Sequence, residues 1–164
     1  MNRIKKNIWA FGLLVFLIIG STLAIKEATA DQDGYDLELD IIDAFYGDFD
    51  QDRIEDDIRV IAILDADFNG EIFSLLTLDI ELPSGKVFHF TFQVSFYSSE
   101  DSVNIITFTT YNTATESGWY IATVSGYFLI DGYFYYLMDS MIFDPPESDG
   151  EGDPSGIVEI KSSG

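Results

Sequence analysis

The stretch Phe88-His89-Phe90-Thr91-Phe92-Gln93-Val94-Ser95-Phe96 puts every apolar residue on one parity and every polar residue on the other. A period of two is the geometry of a strand with one face buried, whereas a helix would scatter the same residues around its axis. Working outward, Pro83-Ser84-Gly85 has proline to preset the first corner of a turn and glycine to accept positive φ. Before it, Leu76, Leu78, Ile80 and Leu82 alternate with Thr77, Asp79 and Glu81, so the two segments read as neighbouring strands.

The same period recurs along the chain. Tyr35, Leu37, Leu39 and Ile41 oppose Asp36, Glu38 and Asp40, while Ile58–Leu64 is apolar nearly throughout, as a sheet centre requires. After a polar turn at Ser98–Ser102, Val103–Tyr111 is β-branched and aromatic. Two long strands, Trp119–Ile130 and Tyr133–Phe143, flank Asp131-Gly132, a dipeptide that favours tight hairpins. About seven strands with turns between them and no 3.6-residue period predict an all-β, antiparallel β-sandwich.

Three regions follow from composition. Residues 1–30 read as a signal peptide: Arg3, Lys5 and Lys6, then apolar Ile8–Ile19, then the small-x-small box Ala28-Thr29-Ala30. The alternative is an uncleaved membrane anchor, since Ile8–Ile25 is largely apolar. In either case the remainder is expected outside the cell or on its surface. Residues 31–144 are the predicted sandwich. Residues 145–164 form an acidic, Pro/Gly-rich tail in which Ile157–Ile160 is a candidate short final strand.

The chain of 164 residues carries a net charge of −21 and no cysteine. Disulfides and zinc-thiolate sites are therefore excluded. Beyond residue 30, Arg53, Arg59, Lys86 and Lys161 face 28 acids, 14 of them between Asp31 and Asp67. Such a surface repels phosphate backbones, so no nucleic-acid partner is expected, and anionic membranes are disfavoured beyond the N-terminal segment.

Within that acidic segment, Asp48, Asp50, Asp52 and Asp56 recur at positions 1, 3, 5 and 9 of a loop. Hard cations take oxygen ligands, and calcium binds six to eight of them, which alternate side chains of a tight loop can supply. Asp43, Glu55 and Asp57 are reserve ligands. The alternatives are a solvated loop without a ligand and another hard cation. The segment resembles the D-x-D-x-D calcium loops of EF-hand, thrombospondin type 3, dockerin and FG-GAP-type proteins. That resemblance implies calcium ligation by Asp48, Asp50, Asp52, the Ile54 carbonyl and Asp56. Arg53 stands where those loops have glycine, and Arg59 where an EF-hand has its closing glutamate. With no flanking helices the loop is not an EF-hand.

A second resemblance lies in Ser117-Gly118-Trp119-Tyr120-Ile121-Ala122-Thr123-Val124, which is similar to the approach to strand F of immunoglobulin-like domains. It places Tyr120 at the tyrosine-corner position, its hydroxyl bonding back to the chain, with Ala122 where antibody domains keep cysteine. The implied fold is a cysteine-free immunoglobulin-like sandwich.

The remaining candidates are weaker. Asp65, Asp67 and Asn69 before Gly70 repeat the D-x-D-x-N-G pattern, but Phe73 and Leu76 occupy the closing positions, so a backbone-bonded turn is expected. His89, the sole histidine, alternates away from the phenylalanine face. Without a partner for nucleophilic or acid–base chemistry, no enzyme is expected. Trp119, Tyr127, Tyr133 and Tyr135 are candidates for an exposed aromatic row that would bind a glycan or an extracellular protein.

Overall fold

The computed structural model describes residues 35–100, 102–143 and 154–163. The N-terminal segment expected to be a signal peptide lies outside the described residues. Eight strands follow one another: β1 (Leu37–Gly47), β2 (Asp57–Ala66), β3 (Gly70–Glu81), β4 (Val87–Ser98), β5 (Val103–Tyr111), β6 (Tyr120–Ile130), β7 (Tyr133–Phe143) and β8 (Ser155–Ser163). They form two four-stranded antiparallel sheets, ordered β1-β2-β5-β8 and β4-β3-β6-β7. The molecule is a β-sandwich. In immunoglobulin-type order, β1, β2 and β5 stand as strands A, B and E, and β4, β3, β6 and β7 as C′, C, F and G. The eighth strand sits beside β5, where strand D would be.

Alternation builds the core. Ile58, Val60, Ala62 and Leu64 of β2 meet Ile72, Leu76, Leu78 and Ile80 of β3 between the sheets, with Ile106, Phe108, Val124 and Phe128, all fully buried. At about 25 cal/mol per Å² of apolar surface, each buried Val, Leu, Ile or Phe among them contributes roughly 1.5–3 kcal/mol. The phenylalanines of β4 also point inward but stay half-buried, because β4 is an edge strand.

Turn chemistry matches its residues. Gly85 N–H donates to the Leu82 carbonyl at 2.8 Å with φ +84°, and Asp131 and Gly132 both adopt positive φ (48° and 85°), as a two-residue hairpin requires. Tyr120 is buried, and its hydroxyl donates to the Glu116 carbonyl at 2.6 Å while accepting the Glu116 N–H at 2.8 Å. The tyrosine corner is therefore formed. The Glu116 carboxylate also accepts from Ser84 N–H (2.9 Å) and Ser84 Oγ (2.7 Å), tying this corner to the β3–β4 turn.

Three elements differ from the sequence reading. The first strand runs on to Gly47, six residues beyond Ile41, because a register shift between Ile41 and Asp43 restores the inward position at Ala44. The shift leaves Ile41 N–H to the Asp139 carboxylate of β7 at 2.8 Å, which stitches the two sheets along that side. The third strand starts at Gly70, with Ser74 buried and donating to the Tyr127 carbonyl at 3.2 Å. The candidate final strand is nine residues long and pairs with β5 along its whole length. Its Ser162 Oγ lies 2.7 Å from Asn104 Oδ1, whose amide donates to Ser98 Oγ at 2.8 Å, so β8 joins a polar network spanning both sheets.

Candidate metal centre

The loop from Asp48 to Asp56 connects β1 to β2. Gly47 permits its first turn: a Cβ there would come within 3.1 Å of the Phe49 ring, which folds back over the strand end. That ring packs edge-on against Phe45 (centroids 5.7 Å) and carries the Arg59 guanidinium 4.0 Å from its centre. Arg59 Nε meanwhile donates to Thr109 Oγ1 at 3.1 Å. Arg59 thus closes the loop by a cation–π contact where an EF-hand would use a ligand.

Within the loop, Asp48, Asp50 and Asp52 each accept a nearby backbone N–H. Asp50 Oδ1 takes Asp52 N–H (3.0 Å), Asp52 Oδ1 takes Ile54 N–H (2.8 Å), and Asp48 Oδ2 takes Arg53 N–H (3.1 Å). The first two are Asx turns, and they hold the intervening residues Gln51 (φ 67°) and Arg53 (φ 79°) in the left-handed region. Two non-glycine residues in that region cost about 1 kcal/mol or more apiece.

Asp48, Asp50 and Asp52 converge: one carboxylate oxygen from each lies within 4.8 Å of the others. Two oxygens on opposite sides of a calcium ion are about 4.6–5.2 Å apart, so the three fit around one ion. Asp48 Oδ1 is buried and has no hydrogen-bond partner. The Asp52 N–H draws the Asp50 carboxyl toward lower pKa, but burial and the charges of Asp57, Asp52 and Asp48 outweigh it and raise the pKa above 3.8. Three carboxylates gathered in this way repel one another by about 1 kcal/mol per pair even in water.

Ile54 lies exposed in the loop and gives its N–H, not the carbonyl expected as a ligand, to Asp52. Asp56 is outside the convergent trio; it is buried, and its carbonyl accepts Thr113 N–H (2.8 Å) and Ala114 N–H (2.7 Å) of the β5–β6 loop. Asp43 and Glu55 are exposed and also outside the trio. Asp57 is fully buried under the loop. Its Oδ2 accepts Phe49 N–H (2.7 Å) and Asp50 N–H (3.0 Å), and its Oδ1 accepts Asn112 N–H (3.0 Å). Asp57, which the sequence offers as a reserve ligand, is therefore the loop's anchor.

Asp65 and Asp67 cannot assist, since β2 separates them from the loop by about 30 Å. They share the far end with Asp36 and Glu38, around a shallow acidic depression, and Asn69 of the following turn accepts from Tyr97 OH at 2.8 Å. His89 is exposed and pairs with Asp79 directly across the β3–β4 ladder. The aromatic row is redrawn. Tyr135 is half-buried on the inner face, its hydroxyl accepting the Tyr35 N–H at 3.3 Å, and Tyr133 and Trp119 stand at strand ends. The contiguous exposed set on the outer face is Phe73, Tyr127, Phe134, Tyr136 and Met138, linked by the β3–β6–β7 register and a Tyr127–Tyr136 ring contact of 4.9 Å. No family model, curated protein or solved structure matches the chain.

Proposed function

We propose that the chain is an exported, non-enzymatic sandwich module in which the β1–β2 loop binds one calcium ion in a structural role. The observation that supports it best is the convergence of Asp48, Asp50 and Asp52, in a loop where one oxygen of the trio's carboxylates, Asp48 Oδ1, is buried without a partner. A hard dication would satisfy that oxygen and reverse the repulsion, with water completing the coordination. The loop is bonded through Asp56 and Asp57 to the β5–β6 loop, which crosses from one sheet to the other, so an ion there would brace that crossing. In a chain without disulfides, such a staple adds stability by mass action. Export rests on the charged and apolar pattern of residues 1–30. Isothermal titration with calcium tests the reading: heat of binding that disappears in Asp48→Asn and Asp50→Asn is expected, and a flat titration of the unsubstituted protein would refute it.

A second reading has its own observation, the exposed group Phe73, Tyr127, Phe134, Tyr136 and Met138. Aromatic rings on an open sheet face are suited to stacking on sugar rings or to a protein partner. Binding on a glycan array that is lost in Tyr136→Ala is the expected sign, and a blank array excludes the glycan.

A further inference from the structure

Each sheet has two edges, and three of the four edge strands carry charge: Glu38, Asp40 and Asp43 on β1, Asp139 on β7, Glu159 and Lys161 on β8. The fourth, β4, is twelve residues long and contains no Asp, Glu, Lys or Arg. It has no proline, and its pairing with β3 runs from Val87 to Ser98 without a bulge. Charges, prolines and bulges are what proteins use to keep an edge from pairing, and here all three are missing from one edge of a chain with a net charge of −21. At the strand's far end Ser162 Oγ of β8 lies 3.0 Å from the Tyr97 carbonyl.

We infer that β4 is a self-association edge, at which a second copy of this chain adds its own β4 antiparallel to form one continuous eight-stranded sheet. Antiparallel addition of identical strands is two-fold symmetric, and side chains must keep their faces, so residues of like parity oppose each other. Among such registers, the one centred on Gln93 sets exposed Lys86, just before the strand, opposite exposed Glu100, just after it, at both ends. It also sets Thr91 opposite Ser95 and His89 opposite Tyr97 on the outer face, and Phe90 opposite Phe96 and Phe92 opposite Val94 on the inner face. No like charges meet. Charge complementarity thus selects both the occupant and the register.

The absence of cysteine makes the register directly readable. In the full chain, Gln93→Cys should form a disulfide-linked dimer under mild oxidation about tenfold or more faster than Ser125→Cys, which lies mid-sheet on the outer face, because pairing raises the local thiol concentration. Thr91→Cys and Ser95→Cys should each link slowly alone and rapidly when mixed. Sedimentation should show a concentration-dependent dimer that Gln93→Lys converts to monomer with an unchanged circular dichroism spectrum. Lys86→Glu should weaken the dimer, and adding Glu100→Lys should restore it. A protein that sediments as monomer up to its solubility limit overturns the proposal. So does linking at Ser125→Cys as fast as at Gln93→Cys, which would indicate association through the sheet face instead.

Discussion

At the scale of single residues, Asp57 and Arg53 carry opposite signs. Asp57 holds three backbone N–H groups from a fully buried position, so Asp57→Ala leaves three donors without an acceptor. Its expected cost is about 3–5 kcal/mol in urea unfolding, with Asp57→Asn costing less. Arg53 sits at φ 79°, where glycine is at ease, so Arg53→Gly should stabilise by up to about 1 kcal/mol, less what the freer unfolded chain takes back. The raised pKa of Asp50 gives a pH signature. A carboxyl with a higher pKa folded than unfolded contributes stability in acid, and that contribution is lost as pH rises through the folded value. Metal-free protein should therefore lose this contribution on leaving acid, while calcium affinity, which needs the ionised carboxylate, should fall as pH drops through the same window. Calcium titrations at stepped pH check both signs. The three converging aspartates were legible in the spacing of Asp48, Asp50 and Asp52. Asp57 was not, because spacing cannot tell which of two adjacent acids, Asp56 or Asp57, turns its carboxylate under the loop.

Among the elements, those marked by a dense β-branched and aromatic run or by a strong turn dipeptide were readable to the residue, as Val103–Tyr111 and the Asp131-Gly132 hairpin show. Alternation failed where the ladder itself is irregular. The β1 bulge moves Ala44 onto the parity of the outward set, so the sequence pattern ends at Ile41 although the strand continues to Gly47. The buried Ser74 hides the start of β3 because a polar residue faces inward there to reach the Tyr127 carbonyl. The last strand lies in acidic, Pro/Gly-rich surroundings, and only its pairing with β5 reveals that Gly156, Val158 and Ile160 face the sandwich. As an edge strand with one hydrogen-bonded neighbour, β8 should exchange its amide hydrogens before β5, which is paired on both sides. Ile160→Ala should cost about 1–2 kcal/mol, since that side chain is only partly buried. The tyrosine corner links β5 to β6, and Tyr120→Phe, which removes the hydroxyl from Glu116, should cost about 1–2 kcal/mol.

For the whole molecule, a sandwich of two complete sheets holds its apolar core without disulfides and carries a net charge of −21. Screening that charge with simple salt should stabilise it modestly. Calcium at the β1–β2 loop would act differently, through one site and at low concentration. The most direct measurement is the melting temperature in sodium chloride and in calcium chloride at matched ionic strength, for the unsubstituted chain and for Asp48→Asn. At about a hundredfold excess over Kd, binding is worth about 2.7 kcal/mol, so calcium should raise Tm by about 8 °C in the unsubstituted chain and leave Asp48→Asn where sodium leaves it. Equal melting temperatures in the two salts for the unsubstituted chain would contradict the assignment of the loop as a calcium site.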